Sequence, residues 1–202
     1  MDEKEILVKT ALLFKTYGIK SMTMDEIARQ LGISKKTLYQ FVNNKNDLVL
    51  KMMSMHIGQE QDCIEEVYKE TNNAIDELME TSKLVSSQVK EMHPSVMFDL
   101  NKYHPEAFHL LRDHKDKFIY KNIKRNLETG IEEGLYRNNL TPELVTRLYL
   151  SMVHSIMGPE DFSNKEFSYA DLHLEMMRYH IRGIASAKGR EYLKQKFKQE
   201  NV

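Results

Sequence analysis

The stretch MDEIARQLGISKKTLYQFVN, Met24–Asn43, encodes two short helices, a glycine turn between them, and a separate cap for each helix. Thr23 stands where an N-cap belongs and Glu26 follows three residues later, the spacing of a capping box. The helix so opened lasts only two turns before Gly32, and Ser34 then caps a second helix running to about Phe41. Ile27, Leu31, Ile33, Leu38 and Phe41 supply a small core. Ala28 lets the two helices cross closely, and Gly32 takes a positive φ at little cost. This is the pattern of a helix-turn-helix. Left outside the core are Ser34, Lys35, Lys36, Thr37, Tyr39 and Gln40. They gather near the start of the second helix, where free N–H groups and the helix dipole favour phosphate. In a helix-turn-helix that end enters the major groove. The competing reading is a helix pair with a solvated lysine face. The agreement of core positions, small residue, turn glycine and both caps in one register weighs against it.

The rest of the chain also reads as helix. Four prolines and eight glycines fall at helix boundaries, and alternating strand patterns are missing. Periodicity predicts a helix over Glu3–Tyr17 ended by a left-handed Gly18, and a long one from Lys45. Further helices are expected over Asn73–Met92, Pro105–Gly134, Thr141–Met157 and Ser168–Ser186, with a charged helical tail from Arg190. His93-Pro94 and His104-Pro105 break the middle, and the GPEDF segment after Met157 opens a loop. The fold class is therefore all-α.

The chain carries a formal charge of only −1, which excludes attraction of the whole molecule to a polyanion. The distribution is uneven. Residues 1–50 hold eight Lys/Arg and six Asp/Glu, a net +2, against 21 and 24 in the remainder, a net −3. A lone Cys63 rules out an intramolecular disulfide and fits a reducing compartment. The acidic, amphipathic start MDEKEILVKT is unlike a secretory signal, and no apolar run approaches a membrane span, so a cytoplasmic location is expected.

ALLFKTYGIKSMTMDEIARQLGISKKTLYQFVNNKNDLV resembles the DNA-binding domain of TetR-type transcriptional regulators, in Ala11, Leu13-Phe14, Gly18, Thr23, Ile27-Ala28, Gly32, Ser34, Leu38-Tyr39 and Lys45. The resemblance implies a three-helix DNA-binding domain over residues 1–60 and a larger helical ligand-binding and dimerisation domain over 61–202. It implies a repressor that reads a near-palindromic double-stranded operator as a homodimer and releases it on binding a small molecule, with no cofactor. Lys35, Lys36 and Thr37 would face base edges, while Thr23, Tyr39 and Lys45 would hold phosphates, with Ser34 and Gln40 in the same interface. One position departs from the family. Phe41 stands where a side chain able to donate a hydrogen bond is common, so it is either core or a weaker contact.

The helices expected over 141–157 and 168–186 are apolar over a wide arc, as a buried helix or a subunit interface would be. The resemblance favours an interface, with Leu148, Met152, Met177 and Ile181 at its centre. Methionines and aromatics concentrate in the middle of the chain, where methionine fills irregular space. A pocket for an apolar or amphipathic effector is expected there, with Met97, Phe98, Tyr103, Phe108, His109 and Tyr120 as its candidate residues. His104, His109 and His114 are five apart, whereas two metal ligands on one helix face want three or four, so no metal site is expected. No P-loop, nucleophile elbow or HExxH occurs, and an enzyme is not expected. The rivals are a helical metal or acid-base enzyme, and an adaptor whose helix-turn-helix binds protein.

Overall fold

A computed structural model describes residues 1–90, 93, 95–156 and 167–200. Met92, Pro94, Met157 and the GPEDF loop lie outside the described residues. Those described form α1 (Glu3–Tyr17), α2 (Met24–Leu31), α3 (Lys35–Leu38), α4 (Lys45–Glu70), α5 (Ala74–Lys90), α6 (Val96–Tyr103), α7 (Pro105–Glu132), α8 (Pro142–Ile156), α9 (Tyr169–Ile184) and α10 (Ala187–Glu200). The only sheet-like pairing among them is an isolated bridge between Tyr136 and Ala185.

The chain packs into two compact units. Unit 1 comprises Met1–Asp62 with Glu91–His114, and unit 2 comprises Cys63–Lys90 with Lys115–Val202. Whereas the sequence suggests a linear division near residue 60, unit 1 also takes in α6 and the first turns of α7. The sequence reading does not anticipate α6. It forms because Val96, Met97 and Leu100 bury their side chains, and because the 3 % exposed Asp99 accepts a hydrogen bond from the Lys20 backbone N–H at 2.9 Å. The His93 N–H donates to the Lys15 carbonyl at 3.0 Å, which ties the same segment to α1. Gly18 has positive φ as expected, but its ψ of 160° is extended rather than left-handed helical.

In unit 2, α5 packs most extensively on α9, and α8 also lies against α9. Ile75, Leu78, Leu127, Tyr149, Met177, Ile181 and Ile184 belong to one continuous buried cluster. Tyr136 locks the base of this cluster. Its ring lies where a Cβ on Gly130 would have to go, and its hydroxyl donates to the Ala74 carbonyl and to Asn126 Oδ1, each at 2.9 Å. A glycine is required at 130 because nothing larger leaves room for the ring. The tail helix is held by Asp76, which accepts hydrogen bonds from Tyr192 and Lys196 of α10.

Candidate DNA-reading interface

The capping box at the start of α2 is complete. Thr23 Oγ1 accepts from the Glu26 N–H at 3.2 Å, and Glu26 Oε2 accepts from the Thr23 N–H at 2.7 Å. Those bonds hold the Glu26 carboxyl below the usual carboxylate range. The helix ends on Gly32 in the left-handed region, φ 68° and ψ 28°, where a side chain would be strained. Ser34 caps α3 by accepting from the Thr37 N–H at 3.0 Å, and its hydroxyl also pairs with that of Thr37 at 2.8 Å.

The core of this unit differs in two positions from the sequence expectation. Ile27, Ala28, Leu31 and Leu38 are buried as expected, but Ile33 and Phe41 are only half-buried, and Val42 is buried instead at 2 % exposure. The reason is the length of α3. Only Lys35–Leu38 is helical. The chain then tightens, with Gln40, Phe41 and Val42 N–H groups bonded to Thr37 and Leu38 carbonyls, and this turns Val42 rather than Phe41 inward. The Phe41 carbonyl is occupied by the Lys51 ammonium at 2.7 Å.

The side chains assigned to DNA are disposed unequally. Lys36, Tyr39 and Gln40 are exposed, and Lys36 has no ion-pair partner among the described residues. Lys35 instead donates to the Asp25 carboxylate at about 3.0 Å, a pair that spans the turn and raises the lysine's pKa. Thr37 is half-buried under the Ser34 cap. Lys45 is half-buried too. Its ammonium donates to the Ile19 carbonyl at 2.7 Å, and burial lowers its pKa against the opposing pull of Asp99 and Glu26. An ammonium has three donors, so a phosphate at Lys45 can be held without giving up Ile19. Asn43 and Asn44 connect α3 to α4. The Asp47 N–H donates to Asn44 Oδ1, and the Asn43 N–H donates to Asp47 Oδ2.

This arrangement can do one thing well. It presents a rigidly capped short helix with a cationic, hydrogen-bonding edge and carries no acid-base pair poised for chemistry. Residues 6–52, which span this whole construction, match the sequence signature of bacterial regulatory proteins of the tetR family. The chain is a TetR-type transcriptional regulator. Over 161 residues this TetR-type regulator is 26 % identical to the HTH-type transcriptional regulator YvaF of Bacillus subtilis, covering 78 % of this chain and 82 % of that one. It is similar to the repressor KstR2 of Mycobacterium tuberculosis, at 24 % identity over 150 residues, 71 % of this chain and 73 % of that one. The solved structure of the fatty acid regulator FadR from Bacillus subtilis, in complex with stearoyl-CoA, superposes with a TM-score of 0.68. That match is at 18 % identity over 91 % of this chain and all of the other. These relatives are transcriptional regulators, and DNA binding is the function they share with the regulator described here.

The remaining candidates separate. Met97 is buried, Tyr103 and Phe108 are half-buried, and Phe98 and His109 are exposed; all five belong to unit 1, whereas the half-buried Tyr120 belongs to unit 2. Tyr103 and Phe98 meet edge to face at 6.5 Å, and the Lys102 ammonium lies over both rings. Lys20 covers the Tyr103 ring at 4.9 Å, and its hydrogen bond lowers the phenol's pKa. Tyr120 instead meets Arg147 at 5.9 Å. On α8 and α9, Leu148 is 65 % exposed and Met152 half-buried, but Met177 and Ile181 are interior, at 4 % and 6 %. Those two face inward because α5 packs on that side of α9. The exposed apolar residues are Leu144, Leu148 and Tyr179, and the sequence reading of an apolar arc did not separate them from the inner face. Among the described residues no group of three or more His, Cys, Asp or Glu side chains is arranged to hold a metal, and no helix is long and apolar enough to cross a membrane.

Proposed function

We propose that the protein is a cytoplasmic, non-catalytic, homodimeric repressor that reads a near-palindromic operator through residues 1–60 and releases it when a small molecule binds elsewhere in the chain. The observation that carries the reading is the exposed edge of α3. Lys36, Tyr39 and Gln40 are free to reach DNA, and Lys35 is held beside them by an exchangeable ion pair. Lys35, Lys36 and Thr37 face base edges, and Thr23, Tyr39 and Lys45 grip the backbone.

Leu144, Leu148 and Tyr179 support pairing of two copies through α8 and α9. Two recognition helices must lie about one helical turn of DNA apart, roughly 34–36 Å, to read successive grooves. The stearoyl-CoA complex of FadR supports control by a small molecule. Such control works only through different affinities for the DNA-competent and released states, and the operator weakens effector binding by the same factor.

Selection of genomic fragments by the purified protein identifies the operator, and fluorescence anisotropy on that fragment tests the interface. The Lys35→Ala, Lys36→Ala double variant is expected to lose operator binding. Wild-type affinity in that variant would overturn the assignment.

A further inference from the structure

Thr81 Oγ1, Ser82 Oγ, Asn122 Nδ2 and His180 Nε2 in unit 2 are buried side-chain atoms without a hydrogen-bond partner. Ser82 and His180 are each only 5 % exposed. Orphaned groups scattered through a core would each need a separate explanation. Helix register brings these four to one level of the bundle.

On α5, Glu77 Oε1 accepts from Asn126 Nδ2 of α7 at 2.9 Å. Nine residues further along α5, Ser86 pairs with His173 of α9, whose pKa in turn feels Lys115 of α7. Rising along α5 therefore means descending along α7, so the two helices are antiparallel. Thr81, one turn above Glu77, meets the level of Asn122, one turn below Asn126. The same holds for α9. Ser86 meets His173, while at the other end the Arg137 N–H donates to the Ile184 carbonyl and Tyr136 reaches Ala74. Ser82, one turn below Ser86, thus lies opposite Met177, and His180 follows on the face that carries His173. Tyr149 of α8 closes the layer. Its hydroxyl donates to Met177 Sδ at 3.3 Å and its ring is 4.9 Å from that of His180.

We propose that this layer is the effector site of unit 2, and that Thr81, Ser82, Asn122 and His180 bind an uncharged, largely apolar molecule bearing an oxygen acceptor such as a ketone, lactone or ester. The inference rests on the ligand-responsive reading above and names the ligand's class and its contacts. Asn122 Nδ2 can only donate, so the ligand must accept, and both hydroxyls and the imidazole can do either. Burial holds the His180 imidazole at a pKa of about 4, so it is neutral at pH 7. The nearest opposite charges, Glu77 and Arg125, already neutralise each other at 2.6 Å one turn away. A carboxylate or ammonium brought into this layer would be a buried, unpaired charge, which such an environment rejects. The residues between the polar groups, Met177 and Tyr149 among them, supply the apolar contact.

The test uses the full-length protein and three probes that share an alkyl chain and differ in headgroup: 2-undecanone, decanoate and decyltrimethylammonium. The ketone is expected to raise the melting temperature and weaken operator binding, while the two ions do neither. Asn122→Leu is expected to weaken ketone binding at least about tenfold and leave ligand-free operator affinity unchanged. It should also raise the ligand-free melting temperature by about 2–4 °C, since an apolar replacement removes an unpaired buried donor. Ser82→Ala gives the same readouts with a smaller change in volume, and serves if the larger substitution does not fold. The inference is overturned if neither variant alters ketone binding, if both lower the ligand-free melting temperature, if either ion binds as well as the ketone, or if no probe binds. Operator binding that survives any of these results leaves the DNA-reading function standing. Loss of all operator binding by the unmodified protein overturns that function instead.

Discussion

The Lys35–Asp25 pair makes a quantitative forecast for DNA recognition. Lys35 cannot address a base edge while its ammonium is bonded to Asp25, so the pair must open during binding. Both partners are largely exposed, with side chains 51 % and 69 % accessible, and such pairs contribute little. Opening it therefore reduces operator affinity by a factor of about 1.4 to 5. Asp25→Asn should recover that factor and tighten operator binding accordingly. The same substitution removes an acidic residue from the first turn of α2, where it complements the helix dipole, so the variant should melt slightly earlier. Tighter binding with lower stability is the signature. Anisotropy titrations of wild type, Asp25→Asn, Lys35→Ala and the double variant form a thermodynamic cycle. The gain from Asp25→Asn should vanish when Lys35 is already alanine, and should shrink between 50 and 200 mM salt as screening increases. Equal gains in both backgrounds would mean that Asp25 merely repels phosphate. No gain in either would refute the opening step altogether.

Lys36→Ala should lower affinity for all sequences and reduce the slope of log affinity against log salt by about one if it holds a phosphate; if it reads a base, affinity should fall about 5- to 150-fold at one operator position. Leu148→Glu should convert the dimer to a folded monomer in sedimentation. Met177→Glu should unfold the protein instead, at a cost on the order of 3–5 kcal/mol for a buried unpaired charge, and a folded monomer from Met177→Glu would refute its interior placement. His173 and His180 have folded pKa values near 4, below the 6.5 of an exposed histidine. The unfolded chain thus binds more protons between those values, and stability is complete above pH 6.5 and lost as pH falls toward 4. The slope is on the order of 1 kcal/mol per pH unit for each histidine. Thermal melts from pH 7 to 5 should show it, His180→Phe should flatten it, and identical melts in the two proteins would refute the linkage.

Where the signals are local, the sequence disclosed the structure. The capping box at Thr23, the left-handed Gly32 and the Ser34 cap each act within four residues, and all three stand as read. Helix α6 escaped because its reasons are distant. Ser95 makes no side-chain cap bond, and the helix is held by Asp99 meeting a backbone group 79 residues earlier. The inner and outer faces of α9 could not be separated either, since Met177 and Tyr179 are both large and apolar, and only the packing of α5 makes one interior and the other 73 % exposed. The Lys35–Asp25 pair was hidden for a related reason. The two residues are ten apart and meet only once Gly32 has turned the chain. Likewise the polar layer of unit 2 draws on four helices, with residues that are unremarkable one at a time.

The composition of unit 1 from two separated segments has a bearing on recombination. Regulators of this architecture invite exchange of their DNA-reading heads, with a junction placed where the N-terminal homology stops. In this chain a junction at residue 62 would graft α1–α3 and most of α4 onto a foreign 91–114 segment. Lys20 would then lose its Asp99 acceptor, and the Lys15 carbonyl would lose the His93 donor. The transplanted head would carry every residue that faces DNA and lack the surface that braces the turn before Thr23. A working hybrid must carry both segments from the same parent, so inheritance of operator choice in this lineage involves a stretch of chain that begins ninety residues from the start.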